Sequence, residues 1–510
     1  MQLTKTLYRI GIFLIFVSAA ISQTPKMAPL PKIMLNGGLP LAAPGSTLPA
    51  IDLAFQNQFE WVKIAVQLTQ DRQHVVLPDS VLARITHSPK SVSGYTLAEL
   101  QKLDAGTWFA PRFAGAKITA LKDVFEQCHL KINLLLDCQN VAPDLLVDEI
   151  LSSEMAPQVI VAAHPKIRNA IQQRSQNTLV LAADFTETPE PHFWRKNKPS
   201  PGVLQIPFGC VTPDLMAALK RDGIKILVDA TGAPDRLPNW LGLMDWPVDW
   251  ILTNKGDELL AARLKKIAGT EKPVRISAHR GVLALAPENT LAAYQKAIDL
   301  GLDFIEIDVR PTRDKILVSV HDGSLKRTTG LDRPVSAVTL SEIRELSAGE
   351  FFGQPFAQEK VPTLEEIFRL GRGKIGFYLD FKDGDPAQLA EMLRRFNVVD
   401  DCVIYGSLEQ LLAIRALEPG AKIMPPLKTL AQIKNLVNYQ PYAFDTAWES
   451  LSPELIKTCH EFGVKVFADA MDDHENITDF LEAIRWGIDC IQTDEPLILF
   501  RAVEKYLEKE

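Results

Sequence analysis

The sequence predicts an α/β protein made of two tandem (β/α)8 barrels. Three observations carry this. The chain repeats itself in register, each copy is about 240 residues long, and each alternates short β-prone runs with amphipathic helical ones.

The repeat is read directly. At an offset of 243 residues (279 − 36), Asn36 falls on His279 and Asp137 on Asp380 with no gap between. Pro44 pairs with Pro287, Thr47 with Thr290, Asp79 with Asp322 and Arg84 with Arg327. Thr96-Leu97 lies on Thr339-Leu340, Ala105-Gly106 on Ala348-Gly349, and Leu121 on Leu364. Toward the end of each copy the offset becomes 240 (463 − 223): Gly223-Ile224-Lys225 lies on Gly463-Val464-Lys465, and Asp249-Trp250-Ile251 on Asp489-Cys490-Ile491. The copies are expected at 27–266 and 267–510, with the polar stretch Gly269-Thr270-Glu271-Lys272-Pro273 as linker.

In the second copy, Val274–Ala278 is a β-prone run. A helix is expected from Asn289 to Leu300, with Leu291, Tyr294 and Ile298 on one face and Gly301 to end it. Phe304–Val309 reads as the next strand and Ile316–Val320 as another; Ile375–Phe381, Val403–Tyr405, Val464–Phe467 and Cys490–Gln492 follow. Short strands separated by helices indicate a parallel sheet, and eight such units close a barrel.

Composition narrows the function. With 46% hydrophobic and 23% charged residues the chain is globular rather than disordered. A net charge of -8 argues against nucleic acid as a partner, because phosphate backbones are held by clustered Lys and Arg. At the N-terminus, Lys5 and Arg9 accompany the apolar run Ile10–Ile21, and Ala20-Ile21-Ser22 offers small residues for cleavage. That run falls short of the roughly 20 residues a bilayer span requires. Residues 1–22 are therefore expected to be a signal peptide and the mature protein to be exported, periplasmic or extracellular, with no stable membrane span. The six cysteines lack the close paired spacing of zinc sites and read as buried free thiols.

Glu306 and Asp308 are two apart on one strand, so both carboxylates project to one face. If that face is the barrel interior, they repel one another, and a divalent cation is the natural way to hold them. His279 closes one expected strand and His321 another, and barrels of this kind place catalytic groups at the C-terminal ends of different strands. Arg280 adds a planar donor suited to phosphate oxygens. Asp380 and Lys382 share a face of a later strand, as a candidate third carboxylate and a positive group for the phosphate.

These residues lie in blocks that together resemble a known family. His279-Arg280-Gly281, Pro287-Glu288-Asn289-Thr290, Glu306-Ile307-Asp308-Val309 and His321-Asp322 are similar to the glycerophosphodiester phosphodiesterases. So are Arg327-Thr328-Thr329-Gly330, Val361-Pro362-Thr363-Leu364-Glu365-Glu366 and Thr493-Asp494-Glu495-Pro496, which extend the likeness across 274–500. The resemblance implies a TIM barrel of the phospholipase-C-like (PLC-like) phosphodiesterase type. It implies a small-molecule glycerophosphodiester substrate, cleaved to glycerol phosphate and an alcohol, and a divalent cation, Ca²⁺ or Mg²⁺. By position it makes His279 and His321 the acid/base pair, Glu306, Asp308 and Asp380 the metal ligands, Arg280 and Lys382 the phosphate contacts, and Glu288 a supporting residue. The chain departs from the family in having Asp380 where Glu is common. It also lacks the Trp often carried on the late strand, here Val466-Phe467-Ala468, which leaves the headgroup open. Two alternatives stand beside this reading: a phospholipase-D-like action on lysophospholipids, and a tandem-barrel binding protein.

The first copy keeps the pattern and loses the chemistry. Opposite His279, Arg280, Glu288, Glu306, Asp308, His321 and Lys382 stand Asn36, Gly37, Gly45, Lys63, Ala65, Pro78 and Gln139, while Asp137 matches Asp380. A catalytically silent barrel is expected there, since a fold carries no function without its site.

Overall fold

The computed structural model describes residues 29–87, 89–185, 193–196, 201–269 and 271–508. The expected signal peptide lies outside them. In the first barrel β1 (Lys32–Asn36), β2 (Trp61–Leu68), β3 (Asn133–Asn140), β4 (Val159–Ala163), β5 (Val180–Asp184), β6 (Val203–Pro207), β7 (Lys225–Asp229) and β8 (Trp250–Thr253) pair in parallel in chain order. β1 pairs with both β2 and β8, so the ring closes.

The second barrel repeats this with β9 (Arg275–Ala278), β10 (Phe304–Pro311), β11 (Gly376–Phe381), β12 (Cys402–Tyr405), β13 (Lys422–Met424), β14 (Ala443–Ala447), β15 (Lys465–Ala470) and β16 (Cys490–Thr493). β9 joins β10 and β16. The ring is nearly closed. Pro425 and Pro426 follow β13 and have no N–H to give a ladder. The β13–β14 seam carries one bridge, Pro426–Asp445, and three backbone hydrogen bonds: the Tyr442 N–H to the Ile423 carbonyl at 2.9 Å, the Leu427 N–H to the Asp445 carbonyl at 2.7 Å and the Asp445 N–H to the Pro425 carbonyl at 3.3 Å.

Alternate residues of the strands fill the two interiors. Met34, Trp61, Leu135 and Trp250 pack inside the first; Phe304, Tyr378, Met424 and Phe467 pack inside the second. The opposite faces pack on the helices. The barrels meet where helix Gly256–Ala268 lies along helix Pro496–Leu507. Leu259, Leu260 and Leu264 are buried on one, and Leu499, Phe500 and Val503 on the other. Arg263 reaches Glu504 across the boundary at 3.0 Å. Among the described residues no helix is long and apolar enough to cross a membrane.

The repeat survives where residues build turns and caps. Thr96 and Glu99 form a capping box, as do Thr339 and Glu342. The Thr47 hydroxyl donates to the Pro44 carbonyl at 2.6 Å, and Thr290 to Pro287 at the same distance. Asp249 accepts the Ile226 N–H at 2.8 Å, as Asp489 accepts that of Val466. A side chain at Gly106 or Gly349 would meet the carbonyl oxygen of Phe113 or Phe356, 1.9 and 2.2 Å from its Cβ.

The helix expected over Asn289–Leu300 is Leu291–Asp299, capped by the Thr290 side chain. One strand has a different place from that expected. Residues Leu317–Ser319 form no stave of the barrel; they pair antiparallel with the end of β10 as a short hairpin. His321 therefore reaches the site from a hairpin folded over the barrel mouth rather than from a barrel strand. The six cysteines are free thiols, five of them buried.

Candidate active site

Glu306 and Asp308 point into the second barrel from β10, 2% and 1% exposed. The register sets Asp380 of β11 beside Asp308. The three carboxylates offer oxygens within 4.8 Å of one another. Burial, with Asp308 and Asp380 close by, pushes the Glu306 carboxyl well above the usual range. Burial also raises Asp380, against the pull of Lys382.

The surroundings compensate only in part. The Arg280 backbone N–H donates to Glu306 Oε2 at 2.9 Å, and the Asn289 side-chain amide donates to Asp308 Oδ2 at 2.9 Å. Lys382 is bonded to Asp380, and its Nζ lies 3.2 Å from Asp308 Oδ1. That Asp308 oxygen is buried without a hydrogen bond, and so is Arg280 Nε. Three convergent carboxylates with a buried oxygen lacking a hydrogen bond fit a hard divalent cation, which takes oxygen ligands.

The turn after β9 aims these groups. Arg280 and Asn289 both have φ of 53°, and Gly281 has φ of 92°. The first copy has the same left-handed turn with Gly37, Gly38 and Ser46. A glycine adopts that conformation at little cost, and an arginine does not. Arginine at 280 thus carries local strain at the site itself. Asn289 is fixed from behind by the hydroxyls of Tyr294 and Ser319, at 2.7 and 2.6 Å from its Oδ1.

Both histidines are oriented by a carboxylate. His279 Nδ1 lies 2.8 Å from Asp494 Oδ1, and His321 Nδ1 lies 2.8 Å from Asp322 Oδ1. Arg327 grips Asp322 and holds its carboxyl well below the usual range. With Nδ1 engaged in each ring, Nε2 is the atom left for proton transfer. Glu288 lies apart from the three clustered carboxylates. It is bonded to Arg327 and stands 3.4 Å from Arg280, tying the two arginines together.

Sequence reasoning gave no role to Asp494 and Asp322, although both stood inside the family blocks. It also missed two inward acids on later strands. Asp445 of β14 accepts the Tyr378 hydroxyl at 3.0 Å, and burial pushes it well above the usual range. Burial pushes Asp469 of β15 up to about 6. Their signal was present as acids among the apolar residues of two short β-prone runs.

The matched region of the first barrel carries different groups. Lys63 and Asp137 form an ion pair at 3.1 Å. Asn36 donates to Asn254 at 3.0 Å, where the second barrel has His279 and Asp494.

A model of the glycerophosphoryl diester phosphodiesterase family matches residues 38–258 and again 279–498. A glycerophosphodiester phosphodiesterase of Caldanaerobacter subterraneus is 33% identical over 241 residues, which is 45% of this chain and 98% of that one. One from Bacillus subtilis is 28% identical over 293 residues, 52% of this chain and 95% of that one. Among solved structures, an Oleispira antarctica phosphodiesterase in complex with the product sn-glycerol-3-phosphate is 26% identical. It aligns with 45% of this chain and 96% of its own, at a TM-score of 0.42.

Proposed function

The chain belongs to the glycerophosphoryl diester phosphodiesterase family and is a phosphoric diester hydrolase, and from that premise we propose that its second barrel alone hydrolyses glycerophosphodiesters to glycerol phosphate and an alcohol. One observation carries the assignment to that barrel. Two carboxylate-held histidines and three convergent carboxylates stand at one barrel mouth, whereas the other has the Lys63–Asp137 ion pair.

In this reading Glu306, Asp308 and Asp380 hold a Ca²⁺ or Mg²⁺ ion, which supplies positive charge to the phosphate oxygens. Arg280 and Lys382 add to that charge and orient the phosphate between the histidines. One histidine takes a proton at Nε2 from the attacking hydroxyl, that of the neighbouring glycerol carbon, and the other gives one to the departing alkoxide. Water then opens the resulting cyclic phosphate to glycerol phosphate with the two proton transfers reversed. Asp494 and Asp322 hold the rings in the tautomer each task needs. Glu288 supports Arg280. We also propose that the chain is exported, to the periplasm or beyond the cell. N-terminal sequencing of the mature protein tests this, and an intact Met1 on the cell-associated product would count against it.

A second reading, phospholipase-D-like action on lysophospholipids, is favoured by one feature. An apolar groove of about 430 Å³ runs between the barrels, lined by Leu41, Trp108, Phe109, Leu285 and Phe352. It lies beside the loop that leads to Glu288 and could receive an acyl chain. Assaying the whole chain on glycerophosphocholine and on lysophosphatidylcholine, with chelator and with added Ca²⁺ or Mg²⁺, tests both. Turnover of neither substrate would overturn the assignment.

A further inference from the structure

His279 follows directly on β9, whereas His321 hangs from the hairpin Leu317–Ser319 folded over the barrel mouth. A ring carried beyond the barrel strands keeps its aim only if the segment that bears it is tied down. The Val320 N–H donates to the Asp308 carbonyl and the Ser319 N–H to the Pro362 carbonyl, each at 3.0 Å. The Ser319 hydroxyl donates to Asn289. These bonds fix the hairpin and stop one residue short of the histidine.

Among the described residues, one side chain holds the His321 backbone, that of Arg310. It stands two residues beyond Asp308 on β10 and is half-buried. Its Nε and Nη2 both donate to the His321 carbonyl, at 3.1 and 2.8 Å. Two donors from one rigid, planar guanidinium fix the direction of that carbonyl as a single donor cannot. The carbonyl lies in the peptide plane that joins His321 to Asp322. One end of the plane bears the ring, and the other bears the carboxylate that orients it. One fork thus sets both.

The guanidinium is a costly group for this task. The neighbouring acids are taken by other cations: Asp308 by Arg280 and Lys382, Asp380 by Lys382, and Asp322 by Arg327. Arg310 forms no ion pair among the described residues. Half-burying a cation without a carboxylate sacrifices solvation that a neutral side chain would keep.

The first barrel does the same job with less. At the offset of 243 (310 − 67), Gln67 stands for Arg310, Leu77 for Val320 and Pro78 for His321. The hairpin is kept there, with His74–Val76 antiparallel to the end of β2. The Gln67 amide donates to the Leu77 carbonyl at 3.0 Å. A neutral amide is therefore enough to hold the hairpin. The charged fork, moved one residue along, occurs where a histidine has to be aimed.

We propose that Arg310 is a positioning residue for the reaction: its fork on the His321 carbonyl sets the His321 ring for proton transfer. The proposal rests on His321 belonging to the acid/base pair.

The test uses the full chain with its divalent cation and glycerophosphocholine as substrate. Arg310→Lys keeps the charge without the fork, Arg310→Gln copies the first barrel, and Arg310→Ala removes both. The Lys and Gln variants should lower kcat alike, by roughly tenfold or more, because a misplaced reacting group costs turnover. Their KM should stay within a factor of about two of wild type, since no contact with substrate is lost. Arg310→Ala should lose more turnover than either. The imidazole signals of His321, read by NMR on histidine-labelled protein, should shift in Arg310→Gln. Wild-type kcat in Arg310→Lys beside losses in the other two would make the charge the working feature and overturn the proposal. So would a kcat within a factor of about two of wild type in all three. If the wild-type chain cleaves no diester, the hydrolase reading falls by itself. The ring signals then decide: a shift in Arg310→Gln keeps the positioning role, and unmoved signals end it.

Discussion

His279 Nδ1 and Asp494 Oδ1 stand 2.8 Å apart, although the two residues come from opposite ends of the second copy. The link exists because β9 and β16 are hydrogen-bonded neighbours in the second barrel. The first barrel keeps the contact as Asn36 to Asn254, with the same shape and no group that titrates near neutrality. Asp494→Asn should therefore preserve folding and substrate affinity while lowering kcat by roughly 10²-fold, because the ring loses the partner that sets its tautomer. A kcat within a factor of about two of wild type would remove Asp494 from the mechanism.

Removing the rings themselves should show which barrel works. His279→Ala and His321→Ala should each cost about 10²-fold or more in turnover. The double variant of the full chain should fall to background, since the first barrel has Asn36 and Pro78 at the matched positions. Residual metal-dependent turnover in the double variant, abolished by replacing Asp137, would reveal a second active site and end the silent-barrel reading.

The carboxylates should differ in their hold on the cation. Glu306 and Asp308 are buried among the barrel strands, whereas Asp380 is partly open and already bonded to Lys382. Glu306→Gln and Asp308→Asn should weaken Ca²⁺ or Mg²⁺ binding more than Asp380→Asn does, read by calorimetry on chelated protein. Equal losses at all three positions would make Asp380 a full ligand. Undiminished activity after exhaustive chelation would remove the metal.

How much of this was legible in the sequence depended on what kind of residue carried it. The tandem barrels could be read because threonine caps, glycines at close approaches and turn prolines cannot drift without breaking local geometry, as Thr96 and Thr339 or Gly106 and Gly349 show. β13 and β14 escaped notice. One has three residues ahead of two prolines, and the other buries Asp445 and Thr446 within its short length. The hairpin Leu317–Ser319 was read as a stave because a short apolar run looks alike in parallel and antiparallel pairing. Glu306 and Asp308 stood out in the sequence through their spacing together with His279 and His321 at the ends of the expected strands around them. The roles of Asp322 and Asp494 did not, since they follow from ring orientation, and Asp445 and Asp469 meet only through the pairing of β14 with β15.

The acids behind the site should set a pH response. Burial, with Glu475 and Asp494 nearby, raises Glu495 from 4.5 to about 7. Between those values the folded state binds more protons than the unfolded one, so stability falls as pH rises. The contribution is complete below about 4.5 and gone above about 7. Glu495→Gln should cancel it. Relative to wild type, the variant's Tm should improve by a few degrees on going from pH 5 to pH 8. A difference in Tm independent of pH would show that Glu495 does not titrate in this window.

The junction of the two barrels makes the last prediction, about what the first barrel does for the second. Glu504 is buried where helices Gly256–Ala268 and Pro496–Leu507 meet, and it takes Arg263 from the first barrel at 3.0 Å and Arg501 from the second at 2.9 Å. Arg501 is also packed over the Phe59 ring of the first barrel, 5.1 Å from its centroid. Farther along the boundary, the Arg112 guanidinium lies 3.9 Å from the Phe352 ring centre and donates to its carbonyl at 3.1 Å. One carboxylate thus neutralises two arginines drawn from different barrels. Glu504→Ala removes the carboxylate that pairs with both buried arginines, a change that typically costs about 3–5 kcal/mol. The expected result is a lower Tm of the whole chain, with kcat and KM of the surviving folded protein unchanged because Glu504 lies at the helix layer, away from the barrel mouth. Glu504→Gln, which keeps the shape and some hydrogen bonding, should lose less. If Glu504→Ala left the Tm untouched, the two barrels would be independent in stability, and the first would owe its retention to something other than docking.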